Sequence, residues 1–458
     1  MARSRGSWSL SVSKPLKALE GTSTWYARMA AVPLNEHPLG PLSPEAVLEH
    51  VGKVCDLILP LANGEPTALM DAIEDRASRF ERVTVHQMHT LHDRDYLRGT
   101  MGDRLRHLSY FLSPVTRPHF NRGTLDLVPN HFSEMRDLLL ERTLDPLVLA
   151  ASSVPDRHGY FSLGVSADYI ASFIGKARFF LEANLRMPRT FGRNQIHVSQ
   201  IVGWTEVDRP LVEVTPAQPK EADKRIADLI AERISDGACL QAGIGAIPNA
   251  VMASLTDHRN LGLHTELLSD GIIDLVENGV INGVGKSLNR TKSIGTFALG
   301  TQRLYDFLHE NPSVELWPVR YVNDPRVIAQ IDDFVSINAT LAVDFLGQCA
   351  SETIGGKYYS SSGGQADFAR GAMYSRGGQG FIALHSTTHD GLTRIVPRLA
   401  AGDAVTTLKN TVDHVVTEHG VAKLRGRSIR ERTRALIAIA DPRHRDELSR
   451  DAHAMGYI

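Results

Sequence analysis

Strand-like apolar segments alternate with helix-like segments along most of the sequence. In the first half, predicted strands at residues 56–59, 83–85 and 146–151 are separated by stretches such as the predicted helix at residues 68–80. Strands separated by helices indicate βαβ units, because parallel neighbours need a long crossover connection. The sequence therefore predicts an α/β fold with mainly parallel sheets.

The chain has 458 residues, which is too long for a single hydrophobic core. Residues 212–220 interrupt the alternation and contain Pro216 and Pro219, so they are typical of a linker. A predicted helix at residues 222–234 then restarts the pattern. We therefore expect two open, mainly parallel α/β domains, at residues 41–220 and 221–458. We expect the active site in the cleft between them, because pockets prefer domain interfaces.

Residues 1–40 are predicted to form a disordered tail. The first 25 residues are basic and serine-rich, with Glu20 as the only acid, which weakly resembles a mitochondrial transit peptide. An unstructured tail or a misassigned start codon explains the same composition. The net charge of −2 gives no argument for a nucleic acid or a membrane surface as partner. No apolar run approaches the ~18 residues of a membrane-spanning helix, so we expect a cytoplasmic protein.

Cysteine and histidine residues give no metal-binding pattern. The three cysteines are Cys55, Cys239 and Cys349. They lie far apart in the sequence and match no metal-binding or redox spacing. We therefore expect buried structural thiols in a protein of a reducing compartment. The regularly spaced His86, His89 and His92 have no cysteine nearby, so we expect surface or loop histidines rather than zinc ligands. The sequence predicts no metal site.

A glycine loop follows a predicted strand at residues 238–241. It reads Gly243-Ile244-Gly245-Ala246-Ile247-Pro248, and its backbone N–H groups can approach a ligand closely. The pattern superficially resembles a dinucleotide fingerprint, but Pro248 stands where that fingerprint has its third glycine. A purely structural turn remains the alternative interpretation.

A single carboxylate, Glu266, follows the glycine loop at the predicted end of another strand. Ligands of open α/β sheets bind at the carboxyl ends of strands. An anionic nucleophile beside glycine-built hydrogen-bond donors suits acyl transfer through a carboxylate. The alternative is a structural glutamate that caps a helix or forms an ion pair.

Two later segments offer further hydrogen-bond donors. In Gly363-Gly364-Gln365-Ala366-Asp367-Phe368, adjacent glycines can direct backbone N–H groups at a developing oxyanion. In residues 381–391, an apolar strand ends in hydroxyl side chains, among them Ser386, that can bind phosphate or carbonyl groups. Tight or solvated surface turns are the alternative for both segments.

As an ordered set, these segments resemble the acetyl-CoA hydrolase/transferase family of coenzyme A transferases. That family includes 4-hydroxybutyrate CoA-transferases and succinyl-CoA:acetate CoA-transferases. The resemblance extends from Pro41 to Arg450. Besides the motifs above, it depends on residues 63–66 (Asn-Gly-Glu-Pro), 187–192, 196–199, 265–271 and 415–426.

The resemblance implies roles for individual residues. The family's nucleophilic glutamate falls on Glu266, and its active-site asparagine is expected at Asn338. The glycine pair beside the thioester falls on Gly363 and Gly364. Donors for the oxyanion or for CoA are also expected at three other positions, which are Gly243, Gly245 and Ser386. His385 and Thr388 flank Ser386 where relatives more often have Pro and Ala, and His419 replaces a Tyr, so no relative's acyl specificity is transferred.

The function that the resemblance implies is CoA transfer between an acyl-CoA and a small carboxylic acid, through a glutamyl-CoA thioester. Acetate, propionate, succinate and 4-hydroxybutyrate are the acids considered. No metal or tightly bound cofactor is expected, and the protein is expected to form a homodimer or larger homo-oligomer. Two alternatives stay open: thioester hydrolysis, which depends on water reaching Glu266, and a non-catalytic acyl-CoA binding protein.

Overall fold

The computed structural model describes residues 40–243 and 245–458. Apart from Gly40, the predicted disordered tail lies outside the described residues, as does Ile244 of the glycine loop. Within the two described ranges, no helix is long and apolar enough to cross a membrane.

The first half of the chain forms a parallel sheet with connecting helices. Its strands are β1 (Val54–Ile58), β2 (Arg82–Gln87), β3 (Arg106–Ser109), β4 (Asp126–Leu127), β5 (Leu147–Ser152), β6 (Tyr160–Ser162), β7 (Arg178–Asn184), β8 (Phe191–Gly192), β9 (Gln195–His197) and β10 (Gly203–Val207). Its α-helices are α1 (Thr67–Asp75), α2 (Thr116–Asn121) and α3 (Met135–Arg142). Short 3-10 helices span Pro44–Glu49, Ala62–Gly64, Ala77–Arg79, Asp95–Arg98, Gly102–Arg104, Phe132–Glu134, Ile170–Phe173 and Val198–Gln200.

Seven of these strands form one sheet in the order β10-β7-β5-β1-β2-β3-β4. Every neighbouring pair is parallel. The interior strand β5 is buried along its whole length, as expected for a parallel strand covered on both faces. The sheet therefore brings the carboxyl ends of β1, β2 and β3 to one edge.

The second half forms a second large sheet and several small ones. Its strands are β11 (Cys239–Ala242), β12 (Gly262–Leu263), β13 (Leu267–Leu268), β14 (Ser293–Gly295), β15 (Phe297–Ala298), β16 (Val314–Leu316), β17 (Phe334–Ala339), β18 (Ala342–Asp344), β19 (Cys349–Ala350), β20 (Thr353–Ile354), β21 (Lys357–Tyr358), β22 (Gln379–Ala383), β23 (Ile395–Val396), β24 (His414–Thr417) and β25 (Gly420–Lys423). Its α-helices are α4 (Glu221–Ala231), α5 (Ala246–Ala253), α6 (Ile273–Glu277), α7 (Gln302–Leu308), α8 (Val319–Val322), α9 (Pro325–Ile328), α10 (Gln365–Tyr374), α11 (Ile429–Ala438) and α12 (Arg445–Ala454). The 3-10 helices Asp270–Ile272 and Pro442–His444 complete it.

The second large sheet has the order β12-β11-β17-β22-β24-β25. Its pairs are parallel except for the antiparallel hairpin of β24 and β25. Two mainly parallel α/β sheets confirm the predicted fold class. The strand-like residues 293–299 form two short strands, β14 and β15, which belong to different small sheets.

Backbone pairing joins the two halves directly. Strand β8 of the first half pairs with β16 of the second in a three-stranded sheet. The backbone N–H of Phe132 donates to the carbonyl of Gly363 across 3.3 Å. The Ser133 hydroxyl donates to Asp367 across 2.9 Å, and the Ser362 hydroxyl donates to the Asn130 carbonyl. The second glycine cluster is therefore held against the first half of the chain.

Candidate active site

Glu266 lies between β12 and β13, three residues beyond the end of β12. Its backbone carbonyl accepts hydrogen bonds from the N–H groups of Thr296 and Phe297, at 3.1 and 3.0 Å. The preceding residue, Thr265, donates its hydroxyl to the Ala242 carbonyl at the start of the glycine loop. The side chain is half-buried. The backbone of the predicted nucleophile is thus fixed on both sides.

An asparagine that the sequence analysis did not identify contacts this carboxylate. Nδ2 of Asn323 donates to Oε2 of Glu266 across 2.8 Å. Asn323 is fully buried directly after α8. In the described part of the chain, Oδ1 of Asn323 has no hydrogen-bond partner. The Asn323 side chain is therefore positioned as a hydrogen-bond donor to the Glu266 carboxylate.

Asn338, which the resemblance assigned as the active-site asparagine, lies on β17. Its amide exchanges hydrogen bonds with Gln241 and donates to the hydroxyl of Ser336. Its Oδ1 is 3.4 Å from the position that a Cβ on Gly243 would occupy. Asn338 therefore lies beside the glycine loop, and its role in the reaction stays a prediction.

The glycine pair lies next to the Glu266 carboxylate, as the resemblance implies. A Cβ on Gly364 would overlap Oε2 of Glu266 and Nδ2 of Asn323. Gly363 has a φ of 53° in the left-handed region, where glycine is favoured. Helix α10 begins directly after Gly364, so the free N–H groups of a helix N-terminus start beside the carboxylate. Only a residue without a side chain permits this approach.

The pKa of Glu266 is raised to about 7. Burial is the main cause, the hydrogen bond from Asn323 opposes it, and the negative charge of Asp367 adds to it. Burial also raises the pKa of Asp367 to about 6, although Ser133 stabilises its anion through the backbone N–H and the hydroxyl. The pKa values of both carboxyl groups are therefore raised toward neutral pH.

The first half contributes apolar and neutral side chains to the same site. Cε2 of Phe111 is 3.6 Å from the position of a Cβ on Gly363, and that position is 3.9 Å from Oε1 of Glu266. The rings of Phe111 and His89 have centroids 5.6 Å apart. Burial lowers the pKa of His89 to about 4, so its imidazole is neutral at pH 7. These residues follow β3 and β2 at the carboxyl edge of the first sheet.

The prediction of surface histidines is wrong for His86, which is buried. Its ring nitrogens contact the Tyr110 hydroxyl at 3.0 Å and a carboxylate oxygen of Asp56 at 3.1 Å. His86 points away from solvent because the first sheet is covered on both faces. In the described residues, no group of three or more His, Cys, Asp or Glu side chains is arranged to hold a metal ion.

The remaining predicted site residues lie in two places. Gly243 donates its N–H to the Ile337 carbonyl across 2.9 Å, and Gly245 has a φ of 127° immediately before α5. Ser386 is fully buried and donates its hydroxyl to Oε1 of Glu418 across 2.6 Å. The Ser386 hydrogen is therefore committed to Glu418, and a contact with CoA stays a prediction.

A cleft of about 1000 Å³ runs along α10 between the two halves. Ser133 from the first half and Asp367 and Arg370 from α10 are on its wall. The cleft and the Glu266 carboxylate are related through Asp367, which is on the cleft wall and whose negative charge acts on Glu266, although Glu266 itself does not line the cleft.

Comparison with known proteins identifies matches to both halves of the chain. The model of the acetyl-CoA hydrolase/transferase N-terminal domain matches residues 41–221, and that of the corresponding C-terminal domain matches residues 300–452. A succinyl-CoA:cyclohexane-1-carboxylate CoA transferase of Geobacter metallireducens is 45% identical over 406 residues, which cover 88% of this chain and 92% of the relative. A 4-hydroxybutyrate coenzyme A transferase of Clostridium kluyveri is 44% identical, over 84% of this chain and 91% of the relative.

A solved structure shares the architecture. The crystal structure of RipA from Yersinia pestis has a TM-score of 0.87 to this chain at 38% sequence identity. The match covers 91% of this chain and 98% of RipA. Sequence and structure comparisons therefore agree over nearly all of the described residues.

Proposed function

The chain belongs to the acetyl-CoA hydrolase/transferase family, and we propose that it transfers CoA between an acyl-CoA and a small carboxylic acid through a thioester on Glu266. The observation that carries this proposal is the contact of the Glu266 carboxylate with Asn323 on one side and the glycine pair on the other. A capping or ion-paired glutamate would not need a neighbour reduced to glycine. The named CoA transferases among its relatives support the same activity.

The first two steps place CoA on the protein. The ionised Glu266 carboxylate attacks the acyl carbonyl, forms an acyl-glutamyl anhydride and releases the CoA thiolate. The thiolate then attacks the glutamyl carbonyl, which forms the glutamyl-CoA thioester and releases the original acid as its carboxylate. A covalent intermediate of this kind divides one difficult displacement into easier ones.

The last two steps reverse the first with a different acid. The incoming carboxylate attacks the glutamyl thioester, forms a new anhydride and releases the CoA thiolate again. The thiolate attacks the new acyl carbonyl, which forms the product acyl-CoA and returns Glu266 as a carboxylate. No electrons or protons are gained or lost overall, so the reaction requires no redox cofactor.

Asn323 is suited to stabilise these intermediates. Each attack on the glutamyl carbonyl places negative charge on an oxygen of Glu266, and Nδ2 of Asn323 already donates to one of them. A single donor to an oxyanion is typically worth roughly 3 kcal/mol of transition-state stabilisation. The backbone N–H groups at Gly363 and Gly364 are candidates for the oxyanion of the acyl carbonyl.

We place the acyl group against Phe111 and His89, beside Gly363. This surface is aromatic and uncharged, because the His89 imidazole is neutral. Short monocarboxylic acyl groups fit such a surface better than a second ionised carboxylate, whose burial without a cation is costly. Among the acids considered, the proposal therefore favours acetate, propionate and 4-hydroxybutyrate over succinate.

We further propose two domains with a boundary near Lys220, no tightly bound cofactor, a cytoplasmic location and a homodimer or larger homo-oligomer. The boundary falls in the coil between β10 and α4. Light scattering of the purified protein and a metal analysis test the oligomer and the cofactor. A monomer, or a stoichiometric metal, would contradict these statements.

The experiment that tests the function follows radiolabelled acetate into acyl-CoA while free thiol is measured in the same sample. With propionyl-CoA as donor, we expect labelled acetyl-CoA without net thiol release, and no label with Glu266→Ala. Intact-mass spectrometry after mixing with propionyl-CoA alone should show a protein adduct whose added mass is that of CoA less one water, as expected for a glutamyl-CoA thioester. Thiol release that does not depend on acetate would instead indicate a hydrolase, and an unreactive wild-type protein with all four acids would indicate a binding protein.

A further inference from the structure

His264 makes a hydrogen bond that connects the two segments of the carboxylate–asparagine pair. Its Nε2 lies 2.7 Å from the backbone carbonyl of Val322, the residue directly before Asn323. His264 itself stands two residues before Glu266. The side chain of one segment therefore holds the backbone of the other.

The protonation state of His264 is defined by its surroundings. Burial, together with the positive charge of Lys286, lowers the pKa of His264 to about 3, so the ring is neutral. A carbonyl only accepts hydrogen bonds, so Nε2 carries the hydrogen and Nδ1 carries the lone pair. Nδ1 is buried and has no partner in the part of the chain that the structure describes. A phenyl ring at this position would fill the same space without leaving a buried nitrogen unpartnered. The feature that distinguishes the imidazole is therefore its Nε2 hydrogen-bond donor.

The two hydrogen bonds close a small ring of interactions. It runs from His264 along the backbone to Glu266, across to Nδ2 of Asn323, back to Val322 and across to Nε2 of His264. The rest of the imidazole is held by aromatic neighbours, with ring centroids of Tyr321 and Phe334 each 6.2 Å away. His264 does not touch the carboxylate, so any effect on the reaction acts through Asn323.

We propose that His264 is a positioning residue for Asn323. By holding the backbone carbonyl of Val322, it keeps the side-chain amide of Asn323 within hydrogen-bond distance of the Glu266 carboxylate. Errors of about 1 Å in the position of a catalytic group can cost on the order of 100-fold in rate. Loss of the His264 donor frees the carbonyl of Val322 and lets the end of α8 move. This inference rests on the proposed function of Glu266.

A double-mutant cycle tests this role. His264→Phe keeps the ring shape but removes the donor, and it should lower kcat about tenfold with little change in KM for acyl-CoA. The same change in an Asn323→Ala background should alter kcat less than about twofold, because residues that act through one another are not additive. His264→Gln, whose amide reaches as far as Nε2, should recover most of the activity.

Two further variants separate this role from a structural one. His264→Asn keeps a polar amide, but this amide is too short to reach the carbonyl of Val322. It should therefore lower kcat about as much as His264→Phe is expected to, and it provides the test if His264→Phe folds poorly. His107→Phe is the matched control, because His107 is an equally buried imidazole in the first half, next to Tyr96. It should change thermal stability without changing kcat.

The outcomes are distinguishable from failure of the proposed function. If Glu266→Ala keeps transferase activity, the proposed function itself is wrong. If Glu266→Ala is inactive but His264→Phe lowers kcat equally in both backgrounds, only the positioning role is overturned. Failure of His264→Gln to exceed His264→Asn would overturn it as well.

Discussion

Nδ2 of Asn323 lies 2.8 Å from Oε2 of Glu266, although 57 residues separate them in the sequence. The donor arrives after α8 and the acceptor after β12, so two different elements of the second half meet at one carboxylate. Asn323 is therefore the asparagine that donates a hydrogen bond to the proposed nucleophile.

Replacing this asparagine should be more damaging than replacing Asn338. Asn323→Ala removes the donor to Glu266, and we expect kcat to fall roughly 100- to 1,000-fold, the usual loss for one oxyanion donor. Asn338→Ala should cost less, because that amide is committed to Gln241 and Ser336. Measuring kcat of both variants by steady-state kinetics shows which of the two asparagines contributes more to the reaction. A larger loss for Asn338→Ala would support the assignment from family resemblance instead.

The raised pKa of Glu266 predicts a pH-dependent rate. The nucleophile must be ionised, so kcat/KM should fall about tenfold per pH unit below the pKa of about 7 and level off above it. Asp367→Asn removes the neighbouring negative charge and should move this limb to lower pH. Rates between pH 5.5 and 8.5 at constant ionic strength test both statements. A flat profile in the wild-type protein would contradict the environment described for Glu266.

The same pKa shift predicts that Glu266 destabilises the fold at high pH. Its pKa is raised to about 7 in the folded protein, so between the unfolded value and 7 the folded state holds more protons than the unfolded state. Stability therefore falls as the pH rises through this range. Glu266→Gln should be more stable than the wild type at pH 8, by at most on the order of 3 kcal/mol, and nearly equal at pH 4.5. Denaturant unfolding at both pH values is the measurement, and equal differences at both would contradict it.

Gly364→Ala should inactivate the enzyme, because the new Cβ would displace the Glu266 carboxylate and the Asn323 amide. We expect a loss of at least about 100-fold in kcat/KM, as for other misplaced catalytic groups. Gly279→Ala is a control for general effects of adding a methyl group, since Gly279 has open space around its Cα and a φ of 74°. That variant should lose stability but keep its kcat. Near-normal activity of Gly364→Ala would mean that Glu266 can move freely.

Phe111→Ala should widen the acyl specificity. Removing the ring beside Gly363 leaves room for longer chains, so kcat/KM for hexanoyl-CoA relative to acetyl-CoA should rise roughly tenfold or more. A series of acyl-CoA donors from two to eight carbons tests this, with Phe120→Ala, whose ring packs against Tyr358, as a second aromatic substitution for comparison. An unchanged profile would place the acyl group elsewhere.

The sequence alone predicted the α/β class, and it singled out Glu266 and the glycine pair as candidates, because each has a local signal. Alternation of strands and helices reports the fold, and adjacent glycines report a close backbone approach. Glu266 stood out as the carboxylate that follows a strand after a glycine loop. In the structure, the glycine pair lies at this carboxylate, although almost 100 residues separate them.

Asn323, His264 and Phe111 had no such signal. Asn323 follows a four-residue helix whose sequence resembles any short turn, and its partner is known only once β12 and α8 are placed in space. His264 looks like an ordinary strand residue, and Phe111 like a core aromatic. Their positions depend on tertiary packing between segments distant in the chain, which periodicity and composition do not encode.

The pairing of β8 with β16 and the contacts of Phe132 and Ser133 restrict both the relative motion of the two halves and their exchange between related proteins. Moving the halves apart would break the backbone hydrogen bonds between β8 and β16 and between Phe132 and Gly363, so we expect acyl-CoA to enter without separation of the halves. Recombination between relatives meets the same constraint. A chimaera that exchanges one half must therefore keep both sides of these contacts compatible, so we expect the first half to be exchangeable only together with the segment that carries Glu266.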